Sequence, residues 1–308
     1  MKKSLKSSNQ KNWCSILFSE KTRKVKYDRE SGASQLALNA LNLLRSFSEN
    51  SKNEISQSFV ESFTKFGYII FGIRPNIAPI QNLVAQIVYE VNNLEEDNID
   101  SIQKYIKFRI EEMYRNSKIA IKKSAQFASK LICDSECVAT CSYSSTICET
   151  FKTAAQQGKS FKVLVAESKS PDGKFSYGRI MGKFLKTLKI QVEVFLDDMI
   201  YRNIPRTNCV LVGADSIFWD GSIINGSPTY GVAVEAQENS IPFYSICETT
   251  KVNTLHFLGK NVGVKEGFDL IPANLITEIV TEKGHLSDER LLEIIKEKTK
   301  FYQIFNIE

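Results

Sequence analysis

A chain of 308 residues with 43% hydrophobic and 24% charged side chains carries enough apolar surface for a substantial core, in one large domain or two modest ones. Its opening residues, MKKSLKSSNQKNW, are basic and polar without the apolar stretch of a signal peptide. No later run reaches membrane-spanning length, so a cytoplasmic protein with no membrane partner is expected. The net charge of +5 comes from Lys and Arg intermixed with Asp and Glu, with no basic block or aromatic-basic interleaving, so direct nucleic-acid binding is not expected.

From Ser31 to about Cys133 the apolar spacing is helical. The segment ASQLALNALNLLRSF sets Leu36, Ala40 and Leu44 near one face, and Leu38 and Leu41 broaden the stripe. EISQSFVESFTKFGYIIF and APIQNLVAQIVYEVNNL repeat the pattern. NNLEEDNID is a polar connection, and the stretch from Ile99 to Ile132 reads as one very long helix or two shorter ones. Residues 1–135 are therefore assigned to an N-terminal helical domain, and no internal repeat is found.

Beyond residue 135 the rhythm changes to short β-branched runs, each followed by a polar turn and a helix-compatible segment. FKVLVAE (161–167), IQVEVFLD (190–197), CVLVGAD (209–215) and IPFYSICE (241–248) are the clearest, with CVAT (137–140) a weaker first run. Such alternation predicts an α/β fold with a mainly parallel sheet over residues 136–308. The segment LSDERLLEIIKEKTKFYQIF predicts a closing helix capped by Ser287 or Asp288.

Seven cysteines, an odd number scattered through a long chain, read as reduced thiols. Cys133, Cys137 and Cys141 are evenly spaced, yet there is no C-x-x-C pair and only His256 and His285 could assist. No metal site and no cofactor are assigned; small buried apolar side chains are the plainer reading.

In an open parallel sheet the ligand crevice lies beyond the carboxyl ends of the strands. Each run here ends in polar groups: Thr140 to Ser145, Glu167 and Ser168, Asp197 and Asp198, Asp215, and Glu248 to Lys251. Asp215 either caps the next turn through its carboxylate or enters the crevice, where burial and neighbouring charge can tune it as an acid or base.

The stretch VLVGADSIFWDGSIINGSPTYGVAVEAQENSIPFYSICETTKV (210–252), with FDLIPANLITEIVTEKG (268–284), IRPNIAPIQNLV (73–84) and SGASQLA (31–37), resembles the family joining the alpha, beta and delta subunits of translation initiation factor 2B with two sugar-phosphate isomerases. Those isomerases act on ribose 1,5-bisphosphate and 5-methylthioribose 1-phosphate. The resemblance implies an N-terminal helical domain followed by a Rossmann-like domain. In the isomerases it implies ring opening and hydrogen movement between C1 and C2, carried by an aspartate that matches Asp215 and a cysteine in a Thr-His-Cys-Asn motif. That motif aligns with TCSYS, so Thr140 matches Thr, Cys141 takes the His position and Ser142 takes the cysteine position.

A serine hydroxyl is far less acidic than a thiol and supplies no equivalent titrating group near neutrality. Cys141 is adjacent, but successive side chains of an extended segment project oppositely. A second departure is NGSPT (225–229), where the isomerases read Asn-Lys-Ile-Gly-Thr: Asn225 and Thr229 are kept and the cationic position is Gly226. Arg74, Lys251, Ser144 and Ser145 are the remaining candidates for holding phosphate, the serines by opening a helix whose amides suit an anion. Each has a plain reading too, as an interface ion pair, a solvated charge or a helix cap. The Tyr-Ser pair of TCSYS resembles the initiation-factor subunits, in which the resemblance implies assembly and ligand sensing without the catalytic pair.

The expected function is that of an initiation factor 2B regulatory-subunit-like protein, homodimeric or larger, binding a sugar phosphate or nucleotide and partnering a translation factor. The alternative is an aldose-ketose isomerase using Asp215 with Cys141 or another proton donor.

Overall fold

The computed structural model describes residues 20–51 and 55–306; the basic opening segment lies outside them. By contacts the chain falls into two compact units, one running up to Arg115 and resuming at Lys298, the other spanning Asn116–Glu297. The dividing point falls inside one continuous helix, Ile99–Ala128. Such a point carries no linker composition in the sequence, whose rhythm changes only where the strands begin, at Cys137.

The helical unit contains α1 (Lys21–Tyr27), α2 (Ala33–Asn50), α3 (Ser56–Phe71), α4 (Ala78–Asn92) and the first part of α5 (Ile99–Ala128). The stripe of α2 is buried as its spacing demands, with Leu36, Ala40 and Leu44 at 2% exposure or less. Phe47 stacks on Phe66 with ring centroids 4.8 Å apart. A β-carbon on Gly67 would meet Val88 Cγ2 at 2.4 Å, so α3 and α4 approach as closely as they do because position 67 has no side chain. Tyr302, near the chain end, returns to this unit and donates its hydroxyl hydrogen to Asn82 Oδ1 at 2.8 Å.

The second unit is built on a seven-stranded sheet in the order β10-β9-β7-β4-β1-β2-β3. The strands are β1 (Cys137–Cys141), β2 (Lys162–Ala166), β3 (Gln191–Phe195), β4 (Cys209–Val212), β7 (Phe243–Ile246), β9 (Glu278–Thr281) and β10 (Gly284–His285). All neighbours pair in parallel except β9 with β10. Strand side chains alternate between faces. Ala139, Cys141, Val210 and Val212 join one core cluster, while Val138, Val163, Val165 and Leu211 join the other. The first cluster is closed by Val232, Ala233 and Ala236 of the helix Thr229–Glu238. The second is closed by Ile147 and Phe151 of α6 (Ser145–Gln156) and by Met181 and Leu185 of α7 (Tyr177–Thr187). Each fully buried Ile, Leu or Phe there contributes about 1.5–3 kcal/mol.

A smaller sheet, β5 (Ser216–Ile217), β6 (Ile223–Gly226) and β8 (Phe268–Ile271), follows the end of β4. The closing helix runs Asp288–Tyr302, and the Ser287 hydroxyl oxygen accepts from Arg290 N at 3.3 Å, so Ser287 is its cap. Among the described residues no helix is long and apolar enough to cross a membrane.

Candidate ligand crevice at the strand ends

The order of the large sheet reverses between β1 and β4: β2 and β3 extend one way, β7 and β9 the other. A doubly wound sheet opens a crevice at such a reversal, beyond the carboxyl ends of the two central strands. The chain after β1 is Ser142 to Ser145, and the chain after β4 is Gly213 to Asp215.

These two segments touch. A β-carbon on Gly213 would sit 2.7 Å from Ser144 Oγ, and one on Gly226, at the end of β6, would sit 2.9 Å from Ser142 Oγ. The loop after β1 is thus held between two glycines, each admitting a serine. Ser142 has φ of 61°, a left-handed conformation unfavourable for a residue with a β-carbon. It is fixed by its amide, which donates to Ser168 Oγ at 2.7 Å. Ser168 is itself left-handed, φ 51°, and its amide donates to Asp197 Oδ1 at 2.7 Å, while Lys169 N donates to Asp197 Oδ2 at 3.1 Å.

Ser144 is the N-cap of α6, its hydroxyl oxygen accepting from Ile147 N at 3.4 Å, and Ser145 opens the helix. The first-turn amides and the positive end of the helix dipole favour an anion there. Asp215, half-buried, is set at the start of the small sheet by its amide, which donates to Ile224 O at 2.8 Å.

Cys141 turns the other way. Its thiol is 1% exposed, belongs to the core cluster beneath the crevice and lies 3.1 Å from Thr229 Oγ1. Burial pushes it up to about 12. Asn225 Nδ2 donates to the same Thr229 hydroxyl at 3.0 Å, and that hydroxyl donates to the Gly226 carbonyl at 2.5 Å. Asn225 and Thr229 are 6% and 0% exposed, so with Cys141 they form a hydrogen-bonded floor.

Lys251 follows β7 and is 5% exposed, yet it makes no hydrogen bond or ion pair with its side chain among the described residues. Its segment is stitched to β5, Val252 bridging to Ile217 and Asn253 N donating to Ile217 O at 2.7 Å. The neighbouring Glu248 carboxylate, 1% exposed, accepts from the Thr146 hydroxyl of α6. Arg74 belongs to the helical unit, where Nη1 donates to the Asp28 carbonyl at 2.5 Å.

Ser168, Asp197 and Glu248 were legible only as polar ends of strand-like runs. The two glycine-serine contacts had no signal in the sequence, because each joins segments far apart in the chain. Among the described residues no group of His, Cys, Asp and Glu is disposed to hold a metal ion.

A sheet wound on both faces, with its strand-end loops gathered at the reversal of order, defines a Rossmann-like domain, which follows a helical one in the sequence. The chain belongs to the Initiation factor 2 subunit family, whose profile matches residues 29–267. It is 32% identical over 228 residues to a Pyrococcus furiosus protein described as translation initiation factor eIF-2B subunit 2-like, a match covering 70% of this chain and 77% of that one. It is 26% identical over 305 residues to the ribose 1,5-bisphosphate isomerase of the same organism, covering 91% and 93%. The crystal structure of the Pyrococcus horikoshii translation initiation factor eIF-2B superposes with a TM-score of 0.73 at 26% identity, covering 87% of this chain and 95% of that chain. The family therefore brings together initiation-factor-like proteins and isomerases, and the fold is common to both.

Proposed function

We propose that this chain is a regulatory-subunit-like member of the family that holds a sugar phosphate or nucleotide in the strand-end crevice without isomerising it. The observation that carries the reading is the direction of Cys141: its thiol is packed into the core against Thr229, so the crevice side of TCSYS offers Ser142 and no titrating partner near neutrality. Binding itself is supported by Lys251, a residue 5% exposed whose ammonium makes no hydrogen bond or ion pair among the described residues, and by the amides at the start of α6 beside Ser144 and Ser145. A bound phosphate would give that ammonium a charge-assisted hydrogen-bond partner. Asn225 and Thr229 serve this reading as the floor that shapes the crevice.

One observation favours the alternative, an isomerase: Asp215 keeps its place after β4, half-buried at the reversal of strand order. The test is thermal stabilisation by ribose 1,5-bisphosphate, 5-methylthioribose 1-phosphate, AMP, GMP and hexose phosphates, with NMR of each stabilising sugar. A ligand at 100 times its Kd adds about 2.7 kcal/mol. Stabilisation without ketose product is expected; product that disappears in Asp215→Asn would overturn the non-catalytic reading. The proposal extends to a homodimer or larger assembly that meets a translation factor, the first part read by sedimentation velocity.

A further inference from the structure

Between Lys169 and Lys189 the chain has six cations, Lys169, Lys174, Arg179, Lys183, Lys186 and Lys189, against one anion, Asp172: 6 − 1 = +5, equal to the net charge of the whole chain. Folding gathers this segment into the loop after β2 and the helix α7. Arg179, Lys183 and Lys186 stand at i, i+4 and i+7, on one helix face. The opposite side of α7 is buried through Gly178, Met181, Gly182 and Leu185. A β-carbon on Gly182 would press Val194 Cγ2 at 2.8 Å, which seats the helix on β3, the edge of the sheet. All six cations are exposed.

The acids nearest to hand are already engaged. Glu167 takes Arg179 at 2.6 Å and Lys169 at 3.4 Å, Glu193 takes Lys162 at 2.7 Å and Arg206 at 3.3 Å, and Asp172 accepts from Ser170 Oγ at 2.6 Å. Lys174, Lys183, Lys186 and Lys189 have no ion-pair partner among the described residues. Beside them Phe175 and Tyr177 stack at 6.4 Å with planes 15° apart, both only partly covered. Cations interleaved with rings at Lys174-Phe175-Ser176-Tyr177-Gly178-Arg179 combine phosphate attraction with a surface on which bases stack. An acidic peptide would have no use for the rings, and a membrane surface would call for more apolar side chains than the single exposed Ile180 of α7.

We infer that α7 and the loop before it form a docking surface for single-stranded RNA, separate from the strand-end crevice and contrary to the expectation drawn from charge intermixing along the chain. Electrostatics along the sequence averaged away a patch that one helix face concentrates.

The test is fluorescence anisotropy of a labelled 20-nucleotide single-stranded RNA with the full chain between 50 and 200 mM KCl. Neutralising four phosphates gives a slope of log K against log salt of about −2.8, or roughly 50-fold weaker binding across that range. The triple variant Lys174→Glu, Lys183→Glu, Lys186→Glu should flatten the slope and lower affinity more than tenfold. A charge-matched control, Lys118→Glu, Lys122→Glu, Lys123→Glu, should bind like the parent. Phe175→Ala should weaken binding roughly fivefold or more with the slope unchanged, as loss of one stacked base does. The inference is overturned by a salt slope near zero, by equal losses in patch and control variants, or by polyglutamate or phosphatidylserine vesicles competing as well as unlabelled RNA.

Discussion

Replacing Lys251 by methionine should make the ligand-free protein more stable and the ligand nearly powerless. The Lys251 residue is 5% exposed, and its ammonium makes no hydrogen bond or ion pair among the described residues. Desolvating an ion costs several kcal/mol, and exchanging buried ions for apolar groups of similar volume commonly stabilises. Lys251→Met should therefore gain about 1–2 kcal/mol, each kcal/mol raising the melting temperature by roughly 1.5 °C in a chain of 308 residues. Charge-assisted hydrogen bonds to a bound phosphate are each worth about 1.5–3 kcal/mol, so affinity should fall about 10- to 150-fold. At a ligand concentration 100 times the parent Kd, the parent gains about 2.7 kcal/mol and a variant weakened 100-fold gains about 0.4 kcal/mol. Differential scanning fluorimetry with and without the stabilising sugar phosphate or nucleotide reads both changes. A variant that loses stability without ligand would refute the reasoning, since the ammonium would then be completing the fold; an unchanged ligand shift would refute it from the other side.

Three further outcomes follow from the same geometry. Gly226→Ala should destabilise by about 1–3 kcal/mol, because its β-carbon would meet Ser142 Oγ at 2.9 Å. Adding Ser142→Gly, which removes that hydroxyl and suits φ of 61°, should recover most of the loss in a double-mutant cycle of chemical denaturation; an additive cycle would refute the coupling. Alkylation at pH 8, followed by mass spectrometry, should label exposed Cys133 well before Cys141, which burial pushes up to about 12; comparable rates would place the Cys141 thiol in solvent. The Glu167 carboxyl is held below the usual carboxylate range, chiefly by the Arg179 guanidinium bonded to it, with Lys169 adding to the effect. A lowered folded-state value stabilises above the unfolded carboxylate value of about 4.3 and is lost as pH falls through the folded value. Glu167→Gln should therefore flatten the acid limb of a stability-pH curve, and an unchanged limb would assign the acid transition to other groups.

The central strands were readable because a strand covered on both faces must be apolar along its length: CVLVGAD and FKVLVAE announce β4 and β2 with few competing readings. The small sheet was not readable. β5 has two residues and β6 ends in Asn225 and Gly226, so neither carries a period long enough to separate strand from loop. The stretch from Ile99 remained ambiguous between one helix and two because both satisfy the same spacing; it is one helix of 30 residues. At the crevice, the Gly-Ala-Asp stretch and the serines lie just past β4 and β1, the strands between which the order of the sheet reverses. The orientation of Cys141 had to come from the pleat of β1, whose alternation sends Cys141 with Ala139 into the core. The roles of Gly213 and Gly226 are properties of pairs, and a sequence spells residues singly.

Ser142 N bonds Ser168 Oγ, and Ser168 N bonds Asp197 Oδ1, so a continuous chain of hydrogen bonds crosses the exits of β1, β2 and β3. Those bonds tie to one another loops that would otherwise be held only at their ends. Under the proposed function, a ligand would be spared the entropy of ordering them, which otherwise erodes affinity, and more of its contact energy would be available for telling one phosphate ester from another. Amides 142 and 168 should accordingly exchange with deuterium on the timescale of the strands behind them, at a rim where turns would ordinarily exchange fast.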